Sequence, residues 1–471
     1  MLSSRAAVAK WQSRLAAVFA LAPLVLSWIL KACVWPRPFW IVLYDPETIY
    51  FYSGLSLLRG WMPENIDNPG TPLQVISAVL AAVTGPTPLR YEAFLTAAHF
   101  VGLLLSLTGA LAIFYGVMKG APPLARVTAV WAYLLAPVAL ERLGIWSPEL
   151  LYLPLGACAL ALLRLWLEVP SPRGAFGAGA VIGVGIAAKF AFLIWVPALL
   201  LAMLSVRRLR HALLAMVGVG LGFLCGTLPV MRGYGMMFRR LLVLSGSGQE
   251  QTWPVLLGTS RLWQGYLLLL LVLAIWHFRR AQLPLQVFAV SLLVFGVLAV
   301  ARNPNFRYLL PTAFIAVALM AIVAASPKFT VPLQVAVLLV TGVFLGRTFV
   351  NDIRAHRERI AGGQLLRREI AAAVPPGGVT VYGWRVPQPS FALRVMATDP
   401  ADLRDVSRLY PREGHLSPWN GAIVLPTGSC RWDTLVAQER ELEVLPPGSY
   451  EIVRRVGEYA IARPARVIAC R

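Results

Sequence analysis

Long runs of apolar residues are the feature that most constrains this chain. A helix needs about 20 mainly apolar residues to cross a hydrocarbon core of roughly 30 Å, since each residue adds about 1.5 Å. Runs near that length lie at residues 15–34, 94–118, 124–140, 150–167, 174–188, 190–205, 212–230, 262–278, 283–301, 308–325 and 330–349. The sequence therefore predicts an all-α polytopic membrane protein with about eleven transmembrane helices.

Composition and two shorter features refine this prediction. Hydrophobic residues make up 58% of the chain and charged residues 14%. The apolar run at 72–84 is short and lies between helix breakers, which favours an interfacial helix over a crossing. The first span follows basic residues, as in a signal peptide, but continues to Trp35 without a clear cleavage site. We expect it to stay attached as the first helix.

Charged residues between the spans predict the orientation. Basic residues at 5–14, 207–210 and 279–280 favour a cytoplasmic N-terminus under the positive-inside rule, in a cytoplasmic (inner) membrane. The loops on the opposite side carry about as many basic residues, so the distribution of acidic residues distinguishes the two sides of the membrane better. With this topology, Glu168 is the one acid of the membrane half on the inner side. The outer side therefore holds charges of both signs, as an active site does.

The first outer loop concentrates acidic residues. Asp45, Glu47, Glu64 and Asp67 lie within residues 44–74, and only nine of the 22 Asp and Glu precede residue 350. Charged groups near lipid are costly, so such a cluster indicates function. Asp45-Pro46-Glu47 is also typical of a helix start, with Asp as N-cap and Pro at the first helical position. Both interpretations are compatible, since a capping carboxylate can also face a cavity.

The C-terminal part differs in composition from the rest. Thirteen acids follow residue 350, and runs at 378–384, 421–425 and 449–456 read as strands after a helical segment near 354–373. We predict a transmembrane domain over 1–350 and a small α/β domain over 351–471. An odd number of crossings places this domain in the periplasm. Whether Cys430 and Cys470 pair there stays open.

Several short motifs carry a family resemblance. The segment with Asp45-Pro46-Glu47 follows the first span, and NPGTPLQ at 68–74 precedes a second short helix. Farther on come GIAAKFAFLIWVP at 185–197 and NFRYLLP at 305–311. In this order the motifs resemble the GT-C glycosyltransferases that use polyprenyl-phosphate sugars, including the protein mannosyltransferase (family 39), aminoarabinose transferase and Rgt-like branches.

The resemblance implies an activity and roles for the acids. The family transfers a hexosyl or pentosyl group from a polyprenyl-phosphate-linked donor to a lipid, glycan or protein acceptor, here with inversion. Asp45 resembles the catalytic base. Glu149 lies where the family often places a second acid, although Ser147-Pro148-Glu149 is also a helix-start pattern. For Glu47, a role beside Asp45, metal ligation and helix-start charge all stay open.

The resemblance also assigns cations to the lipid phosphate. Lys189 lies between two apolar spans, and Arg307 with Tyr308 opens a late span. A leaving phosphate needs positive charge fixed where its own charge develops. Cations at span ends also commonly extend toward the interface, so this alternative stays open. Arg239 and Arg240 are candidate helpers, or part of an ordinary amphipathic surface helix.

Metal and nucleic-acid binding have less support. The five histidines are scattered, so a divalent ion would rest on carboxylates such as Asp45 and Glu47, which suit Mg²⁺ or Mn²⁺. Asn68 departs from the His-Pro-Gly of many relatives, so no metal or proton role is assigned to it. The net charge of +21 fits membrane lipids and a lipid-phosphate substrate, not nucleic acid.

Two other classes of function are alternatives. A transporter or flippase of lipid-linked glycans predicts internal repeats and paired broken helices, and the sequence shows neither. A glycan ligase or polymerase is expected to place basic residues and a histidine in a late outer loop, whereas this chain places acids in the first.

The topology has a direct test. A cysteine that replaces Glu64 in a cysteine-free background is expected to react with a membrane-impermeant maleimide added outside spheroplasts. A cysteine that replaces Arg208 is the matched control and is expected to react only after lysis. The reverse pattern contradicts the orientation.

Overall fold

The computed structural model describes most of the chain. The described residues are 2–34, 45–63, 70–87, 90–235, 261–277, 279, 282–302, 306–383, 386, 410–416, 423–425 and 431–465. For Asp45, Arg307 and Tyr308 only the backbone is described. Two compact units emerge from the contacts: Met1–Leu30, Asn65–Ile76 and Ala97–Asp352 form the first, and Lys31–Glu64, Ser77–Thr96 and Ile353–Arg471 form the second.

Helices dominate the described chain. In order they are α1 (Leu2–Val34), α2 (Asp45–Leu58), α3 (Thr71–Thr84), α4 (Tyr91–Leu111), α5 (Pro123–Leu134), α6 (Ala139–Leu143), α7 (Tyr152–Glu168), α8 (Pro172–Ala188), α9 (Trp195–Leu204), α10 (Leu209–Thr227), α11 (Arg261–Trp276), α12 (Leu283–Arg302), α13 (Phe314–Ala324), α14 (Val331–Ala373) and α15 (Glu439–Leu442). A π-helical segment, Ala112–Val117, continues α4. Short 3₁₀ segments lie at Pro148–Leu151, Phe190–Ile194, Leu228–Gly233 and Phe306–Ala313.

The predicted polytopic helical fold is confirmed. Within the described residues, six helices are long and apolar enough to cross a membrane, and several shorter apolar helices accompany them. Helix lies within each of the eleven apolar runs, but the number of crossings stays a prediction, since five runs hold shorter helices. The helix start at Asp45 and the short helix α3 are also confirmed. A left-handed Gly60 (φ 74°) follows α2, as expected of a helix C-terminus.

Close packing of α8 against α10 organises the first unit. A Cβ atom on Gly179 would lie 2.0 Å from the carbonyl oxygen of Ala215, and one on Gly222 would lie 2.1 Å from that of Ala180. Only glycine permits this approach of two backbones. In lipid, where apolar burial gives helices little reason to associate, such small residues provide the van der Waals contact that holds helices together.

A six-stranded sheet forms the core of the C-terminal domain. Its strands are β1 (Thr380–Tyr382), β2 (Glu413–Leu416), β3 (Ile423–Val424), β4 (Thr434–Gln438), β5 (Tyr450–Val456) and β6 (Tyr459–Pro464), in the order β3-β2-β1-β4-β6-β5. Strand β1 pairs in parallel with β2 and β4, while the other pairs are antiparallel. Val381, Leu435 and Ala462 are fully buried in its core. The predicted α/β character is confirmed.

The last long helix runs through the predicted domain boundary. Helix α14 has 43 residues and continues without a break from the apolar run at 330–349 into the helical segment near 354–373. The sequence predicted these as two elements. Cys430 and Cys470 lie outside the described residues, so their pairing stays a prediction.

The contact between α8 and α10 yields a stability prediction. In Gly222→Ala the new methyl group meets a backbone carbonyl that cannot rotate away, so we expect a loss of about 1–3 kcal/mol. Gly220→Ala is the matched control on the same helix, because nothing lies within 4 Å of its Cβ position. Thermal unfolding in detergent should show a lower Tm for the first variant only. Equal Tm values would contradict the close packing.

Candidate functional site

Glu149 lies in a short irregular segment before α7. Pro148 begins the 3₁₀ segment Pro148–Leu151 and holds the preceding Ser147 in extended conformation (φ −142°, ψ 159°). The Ser147 side chain makes no capping hydrogen bond there, so proline sets this start. The Glu149 residue is 1% exposed. A carboxylate is therefore enclosed by protein where an apolar helix begins.

Lys189 also lies at a break between two helical segments. It follows α8 in extended conformation (φ −165°, ψ 134°), and the 3₁₀ segment Phe190–Ile194 comes next. The Phe192 ring folds back over α8 because Gly185 has no side chain: a Cβ there would lie 2.5 Å from the ring. The Lys189 residue is 4% exposed. The break therefore directs the Lys189 ammonium group toward the interior of the protein.

These two breaks meet in a buried ion pair. The Nζ atom of Lys189 donates a hydrogen bond to Oε1 of Glu149. Removing two charges from water costs several kcal/mol per ion, and the mutual attraction offsets this only in good geometry. Replacement of a buried ion pair by well-packed apolar residues is often neutral or stabilising, so stability alone does not explain the pair. A buried pair of this kind in a membrane protein is therefore a candidate functional site.

The 3₁₀ segment that contains Arg307 lies beside the 3₁₀ segment that follows Lys189. The 3₁₀ segments Phe190–Ile194 and Phe306–Ala313 contact each other. Between them, the Trp195 indole Nε1 donates to the Pro311 carbonyl oxygen at 3.3 Å. The backbone thus brings the segment with Arg307 and Tyr308 to the Lys189 region. The side chains of these two residues lie outside the described ones, so their contacts stay predictions.

Helix α2, which carries the predicted base, belongs to the second unit. Glu47 is 2% exposed. One residue on, the Thr48 hydroxyl hydrogen-bonds to the Tyr91 hydroxyl at 3.0 Å, and the Phe51 ring packs 4.8 Å from the Phe94 ring. The second turn of this helix is thus fixed against α4. Its first turn presents Glu47 to protein and not to solvent.

The other predicted site residues are not described. Arg239 and Arg240 fall in 236–260, and the side chain of Asp45 is outside the described set. Among the residues that are described, no three His, Cys, Asp or Glu side chains are grouped to hold a metal. A metal held by Asp45 and Glu47 stays a prediction, and no chemical step is assigned to it.

Sequence reasoning found Glu149 and Lys189 but missed their pairing. It gave each a separate role, although opposite charges at two breaks of apolar helices are a usable signal. It also missed the hydrogen bond of 3.0 Å between the Thr71 and Tyr234 hydroxyls. That bond ties the start of α3 to the end of the 3₁₀ segment Leu228–Gly233.

Comparisons with known proteins identify the fold. No family model and no curated protein matches the sequence. Among solved structures, the crystal structure of ArnT from Cupriavidus metallidurans bound to undecaprenyl phosphate has a TM-score of 0.57 at 15% identity, covering 94% of this chain and 97% of that one. Its apo structure has a TM-score of 0.53 at 16% identity, covering 95% and 99%. This chain therefore has the fold of the GT-C glycosyltransferases.

Proposed function

We propose that this chain is a membrane glycosyltransferase that moves a sugar from a polyprenyl-phosphate-linked donor to a hydroxyl of a lipid, glycan or protein. The observation that carries the proposal is the buried pair of Glu149 and Lys189, placed at two helix breaks. Support also comes from the fold, which is shared with a protein crystallised with undecaprenyl phosphate. A phosphate-bearing lipid is a natural ligand for a cation held in an apolar bundle.

The proposed reaction occurs at the outer face of the inner membrane. The acids of the first loop, together with the basic N-terminus and inner loops, support this orientation. The N-terminus is then cytoplasmic and the C-terminal domain periplasmic.

The proposed chemistry is a single inverting displacement. Asp45 takes the proton from the acceptor hydroxyl, and the hydroxyl oxygen attacks C1 of the sugar. The bond from C1 to the phosphate oxygen breaks, and its electron pair leaves with the lipid phosphate. A positioned general base typically contributes ~10²- to 10⁴-fold. The transferred group is a hexose or a pentose.

Lys189 supplies the positive charge that the leaving phosphate requires. Its side chain is enclosed by protein, where a charge acts more strongly than in water. Glu149 orients the ammonium group through their hydrogen bond. Arg307 and Tyr308, on the neighbouring segment, share the phosphate in this proposal, and Arg239 and Arg240 assist from their outer loop.

Glu47 acts beside Asp45 in this proposal. Burial of its residue at 2% exposure supports a role inside the protein over one of a solvated helix-start charge. It either holds the base in position or, with Asp45, binds Mg²⁺ or Mn²⁺.

Loss of the base should stop transfer without loss of the protein. We expect Asp45→Asn to reach the membrane at normal abundance and to lower transfer by ~10²-fold or more. The measurement is mass spectrometry of lipid-linked sugars and envelope glycans in a deletion strain that expresses each variant. One polyprenyl-phosphate sugar should accumulate while one glycan modification disappears.

Asp67→Asn is the matched control for this experiment, since it removes a carboxylate from the same loop but not the proposed base. It should restore the glycan as the wild type does. Restoration by Asp45→Asn as well would overturn the base assignment. An unchanged set of lipid-linked sugars in the deletion strain would overturn the transferase function.

The ion pair allows stability and chemistry to be separated. Lys189→Met alone leaves a buried carboxylate without its ammonium partner, so we expect it to destabilise the fold by about 3–5 kcal/mol. Adding Glu149→Gln removes that charge and should recover most of the Tm. The double variant should still fail to transfer sugar, because the cation for the phosphate is gone.

Thermal unfolding and the glycan assay on the same preparations measure both quantities. A double variant that regains stability and also transfers sugar at the wild-type rate would make the pair purely structural.

A further inference from the structure

A second charged site lies at the far end of α7 from Glu149. A cavity of about 280 Å³ opens where the π-helical segment, α7 and α13 end. We call it the helix-end pocket; its lining is residues 117–121, Arg164, Glu168 and the alanines at 321, 324 and 325. Its volume equals the share of roughly nine liquid waters at ~30 Å³ each. The pocket is therefore large enough for a small polar group.

Two cations in this pocket share one carboxylate. Lys119 Nζ donates to Glu168 Oε2 at 3.3 Å, and Arg164 Nε lies 3.7 Å from Glu168 Oε1. The second distance is too long for a hydrogen bond. Among the described residues, the buried Arg164 Nε has no hydrogen-bond acceptor. The three charged groups sum to one net positive charge, and the Arg164 side chain remains 22% exposed for a ligand.

Backbone hydrogen bonds and a glycine turn shape the pocket rim. Met118 N–H bonds to the Ile113 carbonyl oxygen at 3.0 Å, which closes the π-helical segment. Gly120 turns the chain with φ 77°, and Arg126 Nε donates to the Ala121 carbonyl oxygen at 2.8 Å. Such π-helical segments occur often at functional sites. The rim is therefore held by hydrogen bonds of the chain itself.

We infer that the helix-end pocket binds a phosphate group. Arginine matches the geometry of phosphate oxygens with paired donors, while lysine adds a compact charge. The alanine walls suit the less polar remainder of a lipid head group. Basic pockets between transmembrane helices on the cytoplasmic side are known to bind such head groups. The phosphate comes either from an anionic phospholipid or from solution.

The site is independent of the proposed transfer chemistry. Helix α7 has 17 residues, so Glu168 and the start of this helix are separated by roughly 24 Å at 1.5 Å per residue. None of the lining residues has a role in sugar transfer. In the proposed topology the pocket faces the cytoplasmic leaflet, opposite to the donor site.

The test is ligand-dependent thermal unfolding of the purified full chain in detergent. Dioleoyl phosphatidylglycerol should raise the Tm, whereas dioleoyl phosphatidylcholine, with the same acyl chains and no net charge, should raise it less. A third arm uses inorganic phosphate. The double variant Lys119→Gln/Arg164→Gln should weaken binding about tenfold or more, since charge-assisted hydrogen bonds are lost. Arg173→Gln, an exposed cation outside the pocket, should respond as the wild type does.

Glu168→Gln tests the same site in the opposite direction. The carboxylate competes with the ligand for both cations, so its removal should tighten binding about two- to fivefold, the range that a partly exposed ion pair supplies. A response to phosphatidylglycerol that depends on Lys119 and Arg164 identifies a lipid, and a response to inorganic phosphate with the same dependence identifies a soluble ion. Equal responses of wild type, double variant and Glu168→Gln in both arms overturn the proposal.

Discussion

A backbone inside lipid has no water to satisfy its hydrogen bonds, and the rest of this structure depends on that constraint. Each unpaired group costs several kcal/mol, so a spanning segment stays helical unless protein encloses the break. The first unit breaks its helices at Pro148, at Lys189 and before Phe314. At the first two breaks the described charged side chains are buried. At these two breaks the chain places a buried glutamate and a buried lysine.

Regular features of the fold could be predicted from local sequence. Length and hydropathy located helices in the apolar runs, and Asp45-Pro46 located the start of α2. Strand β5 was found because its run of β-branched and aromatic residues is long, while β2, β4 and β6 were not predicted. Strand β4 pairs with the distant strand β1, and such pairing leaves little trace in a short window. Strand β6 instead forms a hairpin with β5 across the turn at Gly457 and Glu458, which the sequence analysis missed.

Two residues of the candidate site could be named from the sequence, but their contact could not. Glu149 and Lys189 stood out as charges at the ends of apolar runs, but 40 residues separate them in the chain. Their contact follows from how α8 and the segment before α7 pack, and neither segment shows this contact in its own sequence. The pocket at Lys119 left even less signal, because its three charged residues look like ordinary interfacial groups.

The hydrogen bond between Glu149 and Lys189 has a consequence for turnover under the proposed function. Suppose that the ammonium group of Lys189 bound only the lipid phosphate. It would then bind the lipid-phosphate product as tightly as the reaction requires it to bind the transition state. Glu149 is a second anion that competes with the lipid phosphate for the ammonium group of Lys189. Under that proposal it holds the ammonium group in place between catalytic cycles and accepts it again as the spent lipid departs. If the proposed function holds, the carboxylate limits product inhibition.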